Sequence, residues 1–210
     1  MMHPKSQNPR DDSENHNKNN ILKSISELIP SANTRKIPPL DSWSPTRMHD
    51  FDIIIKDNGD WYHEGEKMTR QSLVDLFASV LWGEIDETGK KTYFLKTPSD
   101  LYRIQVEDTP LLIHRVDEVI KDGVSWLVFG TTNGDEIVLD DDSVPYFQDF
   151  IKDGRTEQRL YIDTRFNLTA RMNANVLYHL VEMGKMNEMN DAVTLTLTSG
   201  GKTHQLVVDK

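Results

Sequence analysis

The residues best placed by type to do chemistry lie in "TLTLTSGGKTHQLVVDK", where Gly200 and Gly201 run into Lys202 and Thr203. A loop ending in Gly-Lys-Thr can cradle phosphate with its backbone N–H groups and its lysine. That chemistry needs four residues between the loop's two glycines, a strand before it and a helix after it. Counting back from Gly201, the required first glycine falls on Thr196. Downstream, His204, Leu206 and Val208 alternate with Gln205 and Val207; upstream, Val193, Leu195 and Leu197 alternate with threonines. Period two on both sides of a glycine pair spells a hairpin, not a phosphate loop. "GEIDETGKK" fails the same test, with five residues between Gly83 and Gly89 and Lys91 where Ser or Thr should stand.

Carboxylates are the next candidates. Asp140-Asp141-Asp142-Ser143 follows an apolar run, but two-metal and acid–base sites need carboxylates converging from different elements. Adjacent residues at a strand end diverge, so a solvated turn is expected. Asp57, Asp60, Glu64 and Glu66 crowd a second turn without the ligand spacing of a calcium loop. His63, His114, His179 and His204 are scattered, with no zincin helix motif and no Ser/His/Asp set. The chain has no cysteine, which excludes disulfides, thiolate nucleophiles and cysteine zinc sites. No metal, no cofactor and no catalytic residue is implied.

Cations at helix starts carry more interest. Lys67 and Arg70 flank the start of one amphipathic segment, and Arg165 and Arg171 lead into another. A helix N-terminus disfavours cations and favours anions. Cations there ask for an anion between, either the protein's own Asp or Glu or a bound anionic ligand such as a phosphate.

The elements that must position these residues follow from pattern. Lys and Arg number 24 against 34 Asp and Glu, a formal charge of −10. Residues 1–20 balance Lys5, Arg10 and Lys18 against Asp11, Asp12 and Glu14, so the body holds the excess acid. Such a body repels phosphate backbones and anionic lipid, and no nucleic acid or membrane partner is expected. No apolar export segment or bilayer span stands in the sequence, giving a cytoplasmic reading.

Residues 1–20 are too polar to fold and read as a disordered tail. Residues 21–48 read as a short helix in "ILKSISELIP" followed by a Pro-rich connector with Trp43 as anchor. An N-terminal domain is expected over 49–109 and a C-terminal meander domain over 110–210. The first opens with a hairpin turning at Asn58-Gly59. A helix is expected in "MTRQSLVDLFASVLWG", capped by Thr69 and ended by Gly83. Strands follow in "TYFLKTP" and "LYRIQVED", then a meander turning at Asp122-Gly123 and Asn133-Gly134. "RLYIDT", a helix over Asn173–Met183 and the terminal hairpin complete the list. Thr69, Leu73, Leu76 and Phe77 match Asn173, Leu177, Leu180 and Val181 at a constant offset of 104, which points to a duplication.

"DWYHEGEKMTRQSLVDLFASVL", "YFLKTPSDLYRIQVEDTPLLI" and "TTNGDEIVL" together resemble a bacterial family catalogued only as a domain of unknown function. The resemblance runs from about Ile37 onward. It implies a duplicated core of two similar domains, the second loosely pleckstrin-homology-like. It also implies a cleft between them for a nucleotide-like ligand, and a role in signal transduction. Arg70 matches the basic residue that starts the family's first long helix. Thr132, Asn133 and Asp135 match its Thr-Asn-x-Gly-Asp-like turn, one residue shorter here. An Arg-Pro pair is expected at the second helix; Ala174-Asn175 stands there instead, leaving Arg171 as the substitute.

The sequence thus predicts an α+β protein of two β-rich domains, each with one long amphipathic helix. Its expected function is binding a small anionic, nucleotide-like ligand between the domains rather than catalysis. Arg70 and Arg171 would grip the anion, and Thr132, Asn133 and Asp135 would supply hydrogen bonds. The alternative is a protein–protein interaction module with no small-molecule ligand.

Overall fold

The computed structural model describes residues 37–209 except Asp122 and Asn190. The expected tail and leading helix lie outside the described residues. Fifteen strands and two α-helices build three sheets among those residues. The chain is therefore two β-rich sheet domains with few helices.

In the first domain, β1 (Arg47–Ile55), β2 (Trp61–His63) and β3 (Glu66–Lys67) form an antiparallel meander. A second meander runs through β4 (Leu81–Ile85), β5 (Lys91–Lys96) and β6 (Asp100–Val106). The two join where β1 and β6 pair in parallel, giving the order β3-β2-β1-β6-β5-β4. The β1–β2 turn sits at Asn58-Gly59, where Gly59 adopts φ 88° and donates to the Lys56 carbonyl. Helix α1 (Gln71–Ser79) bridges the meanders and buries Val74, Phe77 and Ala78 against the sheet. Phe77 stacks on Trp61 at 6.4 Å, and Leu40 from the connector is fully buried in the same core.

The second domain repeats this plan. β7 (Leu111–Lys121), β8 (Val124–Thr131) and β9 (Glu136–Val138) form one meander. β10 (Tyr146–Lys152), β11 (Arg155–Asp163) and β12 (Thr169–Met172) form the other. β7 and β12 pair in parallel, so the order is β10-β11-β12-β7-β8-β9. Each six-stranded sheet is thus two meanders joined through its first and last strands, the signature of a duplicated core. Helix α2 (Ala174–Met183) follows this sheet and leads into β13 (Lys185–Met189), β14 (Ala192–Ser199) and β15 (Lys202–Asp209). The β14–β15 turn is Gly200-Gly201 with φ 61° and 74°, so the Gly-Lys-Thr stretch is a hairpin.

Several expectations need correction. The N-cap of α1 is Arg70, not Thr69, and no side chain caps it. The helix stops at Ser79, and Gly83 lies inside β4, because the apolar run after Ser79 pairs with β5 instead of winding on. The two helices, nine and ten residues long, then align by their N-caps Arg70 and Asn173, an offset of 103. That alignment matches buried Phe77 with buried Leu180, whereas Val181 is 38% exposed. Nor do the helices hold equivalent places: α1 lies between the meanders of its sheet, α2 after both of its own. The repetition is in the sheets.

Candidate functional site between the domains

β5 and the β4–β5 turn of the first domain face β10, β11 and β12 of the second. Between them opens a cleft of about 360 Å³. Tyr146, Gln148, Asp149 and Phe150 of β10 line it. Lys91 and Tyr93 enter from β5, Tyr161 from β11 and Thr169 from β12, and Glu107, Asp108 and Thr109 of the connecting segment close one end. β10 owes its place to the two-residue turn Asp153-Gly154, where both φ values are positive and Lys152 pairs with Arg155.

Three tyrosines give the cleft its character. Tyr146 and Tyr161 face each other in register with ring centroids 6.1 Å apart. Burial pushes the Tyr93 phenol up to about 12. Burial and then the Asp163 charge push Tyr146 up to about 12. Tyr161 is raised too, by burial first and then by its hydrogen bond to Asp108 Oδ1 at 2.8 Å. All three stay protonated donors at neutral pH. The Lys91 ammonium donates to Asp163 Oδ1 at 2.7 Å and Thr169 Oγ1 at 2.6 Å, two of the three donors it has. Burial alone would raise Asp163, but the hydrogen bonds from Lys91 and Thr169 and the Lys91 charge outweigh it and hold the carboxyl below its ordinary value.

None of the five residues expected from the sequence lines this cleft. Arg171 donates from Nε to Asp108 Oδ2 at 3.2 Å and from Nη2 to the Asp57 carbonyl at 2.8 Å, tying the second domain to the first. Asp135 is 8% exposed and takes Arg165 Nε at 3.1 Å, while Arg165 Nη2 also donates to the Ala78 carbonyl at the end of α1. Asn133 is buried, with its amide 3.4 Å from Asp75 on α1. Thr132 is exposed and its backbone N–H donates to the Leu112 carbonyl. Arg70 is exposed, and its guanidinium has no ion pair among the described residues. Lys67 pairs with Asp60 at 2.7 Å. Of the four cations expected at helix starts, three are thus answered by the protein's own carboxylates.

No alternating pattern in the sequence marks a strand at β10, so Tyr146 and Phe150 are not among the expected site residues. The Asp153-Gly154 dipeptide was the available signal. The meeting of Lys91 and Tyr93 with Tyr161 depends on how the two sheets face each other, which no local pattern records.

Two family models match successive parts of the chain. Residues 38–109 match "Domain of unknown function (DUF1285), N-terminal domain". Residues 110–206 match "Protein of unknown function (DUF1285), C-terminal domain". A crystal structure of a DUF1285 family protein from Silicibacter pomeroyi DSS-3 is similar at 25% identity and TM-score 0.70, with 90% of this chain and 94% of that one covered. A DUF1285 family protein from Shewanella baltica OS155 is similar at 25% identity and TM-score 0.44, with 62% and 91% covered. No curated protein matches the chain. No helix among the described residues is long and apolar enough to cross a membrane.

Proposed function

The chain belongs to the DUF1285 family, with both of its domains in order, and from that premise we propose that it is a binding module whose ligand seats in the cleft between them. The observation that carries this reading is the convergence of Tyr93, Tyr146, Tyr161 and Lys91 from two domains on one 360 Å³ space. Pockets of that size suit a small molecule. Tyrosine faces accept a planar ring, and protonated phenols and carboxylates can hydrogen-bond its edge.

Charge narrows the ligand. Lys91 is the one cation among the described residues that line the cleft, and of the lining carboxylates Glu107 is paired with Lys56 and Asp108 with Arg159 and Arg171. A nucleoside, or a nucleotide with a single phosphate near Lys91, fits this balance; a triphosphate would find that one lining cation for its several charges. The anion grip therefore passes from Arg171, which is bound to Asp108, to Lys91. Domain contacts that a ligand strengthens would give the module a signalling output.

The test is thermal melting and calorimetry with nucleosides, monophosphates and triphosphates, on the wild type, Tyr146→Ala and Lys91→Met. A ligand that binds only the folded state raises the melting temperature. A monophosphate should shift the wild type more than a triphosphate does, and Lys91→Met should lose that preference. A flat response across all three classes sinks the reading.

A protein-interaction module is the second reading. It draws on Tyr178, Val181 and Met183 of α2 and Met186 of β13, with Tyr178 63% and Met186 62% exposed. Such side chains on a surface favour a partner. A flat ligand screen together with specific capture of one protein by the wild type, lost in Tyr178→Ser, would favour it.

A further inference from the structure

Much of the hydrogen-bonding capacity along the interdomain cleft is already committed within the protein. The Tyr161 hydroxyl donates to Asp108 at 2.8 Å, and the Thr109 hydroxyl donates to the Leu111 carbonyl at 3.0 Å. The Tyr146 hydroxyl donates to Asp163 at 3.4 Å, and Glu107 accepts from the Lys56 ammonium at 2.6 Å. A hydroxyl has one proton to give, so these three keep only their acceptor positions. Lys91 retains one N–H for an anion. Gln148 differs from all of them. It is exposed, and its amide makes no hydrogen bond among the described residues. Of the side chains lining the cleft, it alone sets a free donor beside a free acceptor.

The register of β10 on β11 shows which way this amide faces. Gln148 stands two residues from Tyr146 and two from Phe150, so the three share one face of the strand. Opposite Tyr146 in register is Tyr161, and opposite Gln148 is Arg159. Directly opposed residues of an antiparallel pair lie on the same face. Tyr161 and Arg159 both reach Asp108, which closes one end of the cleft, the second of them with Nη1 at 2.7 Å. The face that carries Gln148 is therefore the face that meets the cleft. Along it the aromatic side chains of Tyr146 and Phe150 stand on either side of the amide.

Resting on the reading of the cleft as a site for a nucleoside or its monophosphate, we propose that Gln148 is its specificity-determining residue, reading a nucleobase edge on which an acceptor sits beside an N–H donor. A carboxamide presents N–H and C=O in one plane. That pair complements adenine through N1 and the N6 amine, and guanine through O6 and N1–H. A ring without such an edge would cover both amide groups and satisfy neither. Sites built to hydrogen-bond a ligand reject analogues on just this ground, because their own polar groups are left unpaired. Tyrosine faces hold any planar ring, and Lys91 holds any phosphate; the choice among rings falls to Gln148.

The experiment is calorimetry of the full chain with AMP and GMP and with their edge-blocked forms, N6,N6-dimethyl-AMP and N1-methyl-GMP. It is run on the wild type, Gln148→Met and Lys91→Met. For whichever nucleotide binds the wild type more tightly, edge methylation should weaken binding about tenfold or more, as loss of a two-bond edge contact does. Gln148→Met changes an exposed side chain and should keep the melting temperature. It should weaken the parent nucleotide by a similar factor and bind parent and methylated forms alike. That cycle separates the edge contact from any change in the fold. Equal affinity of the wild type for parent and methylated forms overturns the proposal. So does a methylation penalty as large in Gln148→Met as in the wild type. In either case a monophosphate that Lys91→Met still weakens leaves the reading of the cleft standing. If neither AMP nor GMP binds, both fall.

Discussion

Arg159 of β11 sets Nη1 2.7 Å from Oδ2 of Asp108, with the two side chains only 10% and 5% exposed. Asp108 lies in the segment joining β6 to β7, so this ion pair holds the crossing between the domains. The same carboxylate accepts from Arg171 at 3.2 Å and from the Tyr161 hydroxyl at 2.8 Å. Arg159 reaches on to Asp57 at 3.4 Å, and its guanidinium lies 3.8 Å over the Phe150 ring beside the cleft. A buried carboxylate shared by two arginines is a joint in which every member depends on the others.

Asp108→Ala should therefore be among the most damaging single changes in the chain. It takes the buried carboxylate they share from two mostly buried guanidinium groups, and breaking a buried pair from one side costs about 3–5 kcal/mol. Glu157→Gln removes another partner of Arg159, but one that is 62% exposed, and should cost under about 1 kcal/mol. Urea unfolding of the two variants against the wild type checks the contrast. Equal midpoints would show that the joint contributes nothing.

Acid should loosen this joint through Asp57. The hydrogen bond from Lys152 Nζ at 2.6 Å, with help from Arg159, holds the Asp57 carboxyl below its ordinary value despite partial burial. The folded state thus binds this proton less readily than the unfolded chain, in which an aspartate titrates near about 3.9. Its contribution is complete above that pH and drains away as pH falls through the lower folded value. Asp57→Asn should reduce stability at pH 7 and flatten its decline below about pH 4. The check is the unfolding midpoint followed from pH 6 to pH 2 in both proteins.

Local chemistry was legible where it is local. Asn58-Gly59 marked the β1–β2 turn, Asn133-Gly134 the β8–β9 turn, and Gly200-Gly201 the terminal hairpin, because a positive φ leaves a residue-type signature. Asn173 announced itself as a cap, and its side chain does accept from Val176 N–H at 2.9 Å. Arg70 gave no such sign, since arginine cannot cap by accepting a bond, and the neighbouring Thr69 drew the cap one residue away. The duplicated core was expected, but the strand order that the two sheets share was hidden for a different reason. It lies in the parallel pairings β1 with β6 and β7 with β12, which join residues about fifty to sixty positions apart and leave no periodic trace. The cleft lies where the two sheets face each other, a relation that leaves no local pattern either, and the expected arginines are not among its lining residues.

Gly83 tests how closely the domains are fitted. It lies in β4, beside the tight turn at Phe166 and Asn167, and the Asn167 amide donates to the Gly83 carbonyl at 3.2 Å. A Cβ on Gly83 would come within 2.7 Å of the Asn167 carbonyl oxygen, a backbone atom that cannot swing aside. Gly83→Ala should destabilise by about 1–3 kcal/mol, as overpacking does, though alanine suits a strand better than glycine. Gly89→Ala is the comparison on propensity: it meets no atom within 4 Å, so its cost should come from φ +84° alone. If Gly83→Ala proved neutral by thermal melting, the two domains would not be as tightly apposed as this contact requires.

The turn that presents β10 to the cleft gives the last prediction. Asp153 and Gly154 adopt φ 51° and 73° between the paired residues Lys152 and Arg155. Nothing lies within 4 Å of a Cβ at Gly154, so a substitution there meets only backbone strain. Alanine in that left-handed conformation costs roughly 1–2 kcal/mol, whereas asparagine, whose short side chain bonds locally, costs less. Gly154→Ala should therefore lower the unfolding free energy more than Gly154→Asn, although asparagine is the larger residue. Because Tyr146 and Phe150 reach the cleft from β10, the same order should appear in affinity for any ligand bound there. Equal stabilities for the two variants would mean that the hairpin relaxes freely, and β10 could not then be a rigid wall of the cleft.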